Sequence, residues 1–297
     1  MNGDRFRSAV HMLINSDHSR MPSDWYSQIK PKTYIFRNPL IYGQIRGFLK
    51  IARETGYEKP GEEQRIVNFI LKSDVNNQYS TYFLRIDYYA YDKLGDHNWH
   101  YLLMPDGGYN LRETDINDIN IKSVFKQIID AVNYIHTLGV AHLDIKPGNI
   151  LYDRLRGTIK IIDFGFAIQL KPDMLIRGRR GTKQYMAPEI LQYQFYDAQS
   201  ADIYCLGACL LLLLVKNDMF LYIYERMGEI SVVSSNIYQI VCEQNLLSIV
   251  RDVYATHGYQ SDVIDEVGID LCQRMFRQEE YRISMEDIYQ HEWWQTN

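Results

Sequence analysis

The stretch His142-Leu143-Asp144-Ile145-Lys146-Pro147-Gly148-Asn149 constrains this chain more than any other. Nineteen residues after Asp144 comes Asp163-Phe164-Gly165. An apolar run of helical period precedes the first stretch. Two short β-branched runs, Ile150-Leu151-Tyr152 and Ile159-Lys160-Ile161-Ile162, lie between the two. A helix that feeds a polar loop, then two extended runs, then a second polar loop is a restrictive pattern. Each loop also holds residue types fixed by charge, which makes the pair far more specific than either alone.

This pair of motifs resembles the catalytic core of eukaryotic-type protein kinases. The resemblance implies ATP and Mg²⁺ (or Mn²⁺) as cofactors. It implies Asp144 as the base toward the substrate hydroxyl, with Asn149 and Asp163 as metal holders. A phosphoryl group in transfer carries spread negative charge, so the protein mainly positions and neutralises it. Mg²⁺ takes oxygen ligands and keeps several waters, so one Asp and one Asn plus phosphate oxygens suffice. Lys146 can reach the transferring phosphate as a point charge.

Further positions extend the resemblance. Lys50 lies in the apolar run Gly47-Phe48-Leu49-Lys50-Ile51, where a lone charge is costly unless paired. Thirteen residues on, Glu63 opens a helical pattern with Ile66, Phe69 and Ile70. The family places a phosphate-gripping Lys and its partner Glu at such positions; Glu62 is the runner-up for Glu63. Lys72 competes for the Lys role, but it leaves too little chain before the hinge. Residues 81–92 and 99–104 have strand patterns. Met104-Pro105-Asp106-Gly107 resembles the family's gatekeeper and hinge. Adenine would then pair with the Pro105 carbonyl and the Gly107 amide; proline is tolerable because that position need only accept.

Gly181-Thr182-Lys183-Gln184-Tyr185-Met186-Ala187-Pro188-Glu189 resembles the substrate-side loop of Ser/Thr kinases. Thr182 is implied as a partner of Asp144 and Lys146. Asp202 is expected to brace the catalytic loop, and Glu189 to pair with Arg282. The helix from about Ile121 to Leu138 should bury Val124, Ile128, Val132 and Ile135, with Gly139 as its cap. The fold implied is α+β and two-lobed: an N-terminal extension over 1–28, a β-rich lobe over 29–105 and a mainly helical lobe over 106–297. Within the extension, Phe6, Val10, Leu13 and Ile14 could line one face of a short helix.

Three features depart from the family. The glycine-rich loop should lie between the first two strands, here expected at 33–36 and 40–42, yet residues 28–42 contain no glycine. Backbone amides that approach phosphates closely usually need glycine. Arg37 or Asn38 is the candidate substitute. The residue before Asp144 is Leu143, where many kinases carry a phosphate-receiving Arg. Residues 166–180 contain no Ser, Thr or Tyr. The expectation is therefore a divergent Ser/Thr protein kinase that works without activation-loop phosphorylation. The alternative is a pseudokinase scaffold that binds partners without phosphoryl transfer.

Composition narrows the partners. A net charge of −5 gives no general reason to expect nucleic acid or an anionic membrane. The longest apolar run, Leu206 to Val215, is ten residues, too short to span a bilayer. The N-terminus lacks an apolar signal-peptide core. Cys205, Cys209, Cys242 and Cys272 form no Cys-x-x-Cys pair and are expected as buried thiols in an intracellular protein of the cytoplasm or nucleus. Lys171, Arg177, Arg179, Arg180 and Lys183 cluster near Thr182, which implies protein substrates with acidic residues around the target Ser or Thr.

Overall fold

The computed structural model describes residues 26–30, 33–37, 47–54, 59–94, 96–115, 119–192, 195–215, 222–223, 245–259 and 264–296. Among the described residues the first lobe holds five antiparallel strands: β1 (Tyr26–Lys30), β2 (Thr33–Arg37), β3 (Gly47–Arg53), β4 (Tyr88–Leu94) and β5 (His97–Pro105). They lie in the order β1-β2-β3-β5-β4. Helix α1 (Pro60–Ser73) is inserted between β3 and β4. Its first turn suits a helix start: Pro60 needs no amide partner there, and Glu62 and Glu63 face the positive end of the dipole.

The second lobe is mainly helical. β6 (Tyr109–Asn110), α2 (Ile121–Thr137), β7 (Val140–Ala141), β8 (Ile150–Asp153) and β9 (Thr158–Ile161) come first. β10 (Ile168–Gln169), β11 (Ile176–Arg177), α3 (Pro188–Leu191), β12 (Phe195–Tyr196) and α4 (Ala198–Leu214) follow. Among the described residues α5 (Leu246–Thr256), α6 (Glu266–Met275) and α7 (Met285–Gln290) come last. Asn120 caps α2 by accepting from the Ser123 amide, and Val124, Ile128, Val132 and Ile135 are buried as a stripe. Gly139 follows the helix with φ of +69°. α4 is apolar on every side and buried nearly throughout, the mark of a central core helix. The two-lobed α+β architecture is thus present.

Three local expectations change. The sheet begins at Tyr26, so the first strand starts inside the segment read as an extension. β2 runs one residue further than expected, to Arg37, which pairs with Phe48, and its other neighbour in the sheet is β1, whose Lys30 pairs with Thr33. Residues 81–87 do not form a strand. The Asp74 carboxylate accepts from the amides of Gln78, Tyr79 and Ser80 at 3.0, 2.7 and 2.5 Å, which satisfies them locally. Phe83 then bridges to Ile161 of the other lobe. The expected helix face of Phe6, Val10, Leu13 and Ile14, the expected strand at 40–42, Asn38 and Cys242 lie outside the described residues.

Candidate active site

Strand alternation puts Lys50 on the face of β3 that looks toward α1. There its ammonium meets Glu63 Oε2 at 2.8 Å and Asp163 Oδ1 at 2.6 Å. Burial pulls the Lys50 pKa down, but the Asp163 and Glu63 carboxylates outweigh it and hold the pKa above its ordinary value. The choice between neighbouring glutamates is clear: the Glu63 side chain is 2% exposed and paired with Lys50, whereas that of Glu62 is 50% exposed and paired with Arg65. Lys72 lies exposed in the last turn of α1.

Asp144 is buried at the mouth of the second lobe. Its Oδ1 accepts from the Thr182 amide at 2.7 Å, and its Oδ2 from Lys146 Nζ at 2.7 Å and Asn149 Nδ2 at 2.9 Å. Lys146 Nζ also donates to Thr182 Oγ1 at 2.5 Å. Asn149 spends its Nδ2 on the Asp144 carbonyl as well, at 2.8 Å. The group it can offer outward is therefore Oδ1, a hard oxygen donor. Together with the Asp163 carboxylate this is the donor set that Mg²⁺ or Mn²⁺ takes.

The loop bearing Asp144 is held from beneath. Asp202 of α4 is fully buried and accepts from the His142 amide at 2.8 Å, the Leu143 amide at 2.7 Å and His136 Nε2 at 3.0 Å. Leu143 needs that grip: its φ of +62° is unusual for a branched residue, and its side chain turns into the core. Asp163 takes φ of +65°. Such backbone costs about 1–3 kcal/mol and persists only where the surroundings over-determine it. Gly181 has φ of +98°, and a Cβ there would collide with the Leu143 carbonyl oxygen, so only glycine lets Thr182 reach Asp144. Glu189 and Arg282 pair in bidentate fashion at 2.6 and 2.9 Å, and Arg282 also donates to the Ser200 carbonyl.

Met104 and Leu151 from opposite lobes, with Leu84, form a small apolar cluster separate from the main core. Phe48, Ile86 and Ile162 pack against it. Pro105 ends β5 opposite Gly47, and Gly107 is buried against the Leu151 and Leu84 side chains. A flat apolar ring would meet this cluster on entering between hinge and Lys50. Sequence reasoning missed Phe48, although its place two residues before Lys50 on the same strand was a usable signal. It also missed His136 and Leu151, which no local pattern distinguishes from ordinary core residues.

A sheet lobe and a helical lobe joined by the Lys50–Asp163 pair, with Asp144 in the helical lobe, define a kinase-like class of protein. A family model described as "Protein kinase domain" matches residues 49–294, and the chain belongs to that family. The match begins after β1 and β2. The SNF-related serine/threonine-protein kinase of Homo sapiens is 32% identical over 200 residues, 65% of this chain and 23% of that protein. CBL-interacting protein kinase 1 of Oryza sativa subsp. japonica is 32% identical over 180 residues, 59% of this chain and 34% of that protein. CBL-interacting protein kinase 32 of the same plant is 44% identical over 93 residues, 30% of this chain and 21% of that protein. This chain therefore spans a fifth to a third of the length of these relatives. Among the described residues, no helix is long and apolar enough to cross a membrane.

Proposed function

We propose that this chain is an ATP-dependent protein kinase domain that phosphorylates Ser and Thr hydroxyls and needs no activation-loop phosphorylation. The observation that carries this reading is the pair of doubly engaged lysines. Lys50 joins Glu63 and Asp163, while Lys146 joins Asp144 and Thr182. Independence of activation-loop phosphorylation is supported by the sequence: Leu143 cannot pair with a phosphate, and residues 166–180 contain no Ser, Thr or Tyr.

In this reading Asp144 orients the substrate hydroxyl and takes its proton. Lys146 sets a positive charge beside the transferring phosphate, and Thr182 fixes the positions of both. Lys50, held by Glu63, grips the inner phosphates. Asn149 and Asp163 would hold Mg²⁺ or Mn²⁺, which would supply positive charge to neutralise phosphate oxygens. Met104 would line the adenine pocket, with the Pro105 carbonyl placed to accept from the base and the Gly107 amide to donate to it. Serine/threonine kinases among the named relatives support the hydroxyl class. The exposed Lys171, Arg177, Arg179 and Lys183, with the half-buried Arg180, support acidic residues around the target. Of the expected division into 1–28, 29–105 and 106–297, we keep 106–297 as the second lobe and move the start of the first lobe back to Tyr26, where β1 begins. Buried free thiols at Cys205, Cys209 and Cys272 support an intracellular setting, cytoplasm or nucleus.

A second reading, a pseudokinase scaffold, draws on one feature. Only residues 31–32 connect β1 to β2, and neither is glycine. With no glycine there to let backbone amides close on phosphate, ATP should bind weakly and lean on the metal, Lys50 and the hinge. The deciding experiment is transfer of radiolabelled phosphate from ATP to generic protein substrates, wild type beside Asp163→Ala. Transfer that disappears in the variant supports the kinase. No transfer by wild type, under conditions where calorimetry detects nucleotide binding, supports the scaffold.

A further inference from the structure

The segment from Asp163 to Glu189 carries Thr182 onto Asp144, so something must hold it still. The usual holder is ruled out by composition: Leu143 is apolar, and residues 166–180 offer no hydroxyl to phosphorylate. A different holder is present. β11 pairs with β12, Ile176 opposite Tyr196 and Arg177 opposite Phe195. Tyr196 is fully buried, and its hydroxyl donates to the Gly178 carbonyl at 3.0 Å. The Arg177 guanidinium lies over the Phe195 ring, 5.7 Å from its centre. Arg179 adds a bond to the Leu191 carbonyl at 3.3 Å.

β12 is itself anchored. Asp197, the next residue, caps α4 by accepting from Gln199 at 2.8 Å, and its own amide donates to Glu279 at 2.6 Å. Six residues after Tyr196 on that same helix stands Asp202, which holds the backbone of His142 and Leu143. Two adjoining elements, β12 and the α4 that Asp197 caps, thus grip the activation segment through Tyr196 and the catalytic loop through Asp202. Three residues separate Gly178 from Thr182, too few to absorb much slack.

We infer that Tyr196 is a positioning residue for phosphoryl transfer. Its hydroxyl, with the β11–β12 pair, ties the activation segment to α4 and so seats Thr182 on Asp144, the task a phosphorylated side chain performs where one exists. This inference rests on the kinase reading and names how that site is kept in its working arrangement without a covalent switch.

The test is Tyr196→Phe, which removes one hydroxyl and keeps the ring. The kcat/KM toward a protein substrate should fall about tenfold, the effect of one lost hydrogen bond. Binding of ADP with Mg²⁺ by calorimetry should stay within about twofold, because Lys50 and the hinge are untouched. Trypsin cleavage after Arg177, Arg179 or Arg180 should quicken by a similar tenfold factor. A merely structural role would instead lower the melting temperature and ADP affinity together. If Tyr196→Phe does not fold, Phe195→Ala decides, since that ring is 63% exposed. Loss of its stack on Arg177 should quicken cleavage about threefold. Unchanged activity and unchanged cleavage in the folded variant would overturn the inference. If wild type transfers no phosphate, the kinase reading falls, while the cleavage rates still report whether Tyr196 tethers the segment.

Discussion

The two sides of the cleft are built by different means. On the helical side, each buried functional carboxylate is held by several donors. Asp144 accepts from Thr182, Lys146 and Asn149. Asp202 accepts from His142, Leu143 and His136. On the sheet side, Lys50 depends on two carboxylates, one of them supplied from across the cleft. A charge paired within one lobe is set by folding of that lobe alone. A charge paired across lobes is set only when the lobes close. The helical side should therefore carry the chemistry rigidly, and the sheet side should tune affinity.

Breaking the helical side at its centre should have the largest effect. Asp144→Asn keeps the shape but cannot accept a proton, so turnover should fall by ~10²–10⁴, the usual contribution of a positioned acid–base group. Melting temperature should change little. Turnover and thermal unfolding measured on the same preparation check this, and unchanged turnover would remove Asp144 from the mechanism.

The contrast also explains what could be foreseen from sequence. Asp144, Asn149, Asp163, Asp202, Glu189 and Arg282 were legible because each stands in a motif that resembles the kinase family's, where the position demands a charge or a hydrogen-bonding type. Lys50 and Glu63 were legible because a lone charge in an apolar strand needs a partner. Residues shaping only the backbone were less so. β1 was missed because Tyr26-Ser27-Gln28-Ile29-Lys30 has one aliphatic residue and looks like linker. The run at 81–87 looked like strand because Phe83 and Leu84 are apolar, yet they turn to the other lobe rather than alternate on a sheet face. Tyr196 gave no signal, because its role is set by a carbonyl eighteen residues earlier.

The next effect is on stability rather than rate. Arg282→Met leaves the Glu189 carboxylate buried without its bidentate partner. That should destabilise by about 3–5 kcal/mol, read as a lower urea midpoint. Adding Glu189→Leu should recover much of the loss, since two apolar groups of similar volume leave no stranded charge. A double variant no better than the single one would mean that Arg282 acts through its bond to Ser200 instead.

On the sheet side the effects should be smaller and should appear in binding. Glu63→Gln should weaken ADP–Mg²⁺ affinity about tenfold, the scale of one charge-assisted bond. Lys50 would keep Asp163 but lose the partner that aims it. The pH dependence follows from the raised Lys50 pKa. A raised cationic pKa contributes stability that is complete below the ordinary lysine value of about 10.4 and is lost only as pH climbs through the higher folded value. Between pH 7 and 9 the Lys50 pairing should therefore not titrate. ADP affinity of wild type relative to Glu63→Gln should keep the same ratio across that range. A ratio that collapses by pH 9 would show that Lys50 loses its proton early.

The smallest expected effect is none at all. Treatment of purified enzyme with a broad phosphatase should leave its activity unchanged. An activation switch by phosphate needs a site that receives the group and a cation that binds it. Residues 166–180 contain no hydroxyl, and Leu143 turns its side chain into the core. Thr182 and Tyr185 remain in the next turn, but both are spoken for. The Thr182 hydroxyl accepts from Lys146, and Tyr185 is buried, with burial raising its pKa. A phosphate on Thr182 would put two negative charges beside Asp144 and draw Lys146 away from it. A phosphate on Tyr185 would have to enter the core. Modification at either should therefore disable the site rather than order it. Activity that collapses after phosphatase, and returns with phosphate mapped to Thr182 or Tyr185, would reverse this and make the sheet side the better-prepared half of the cleft.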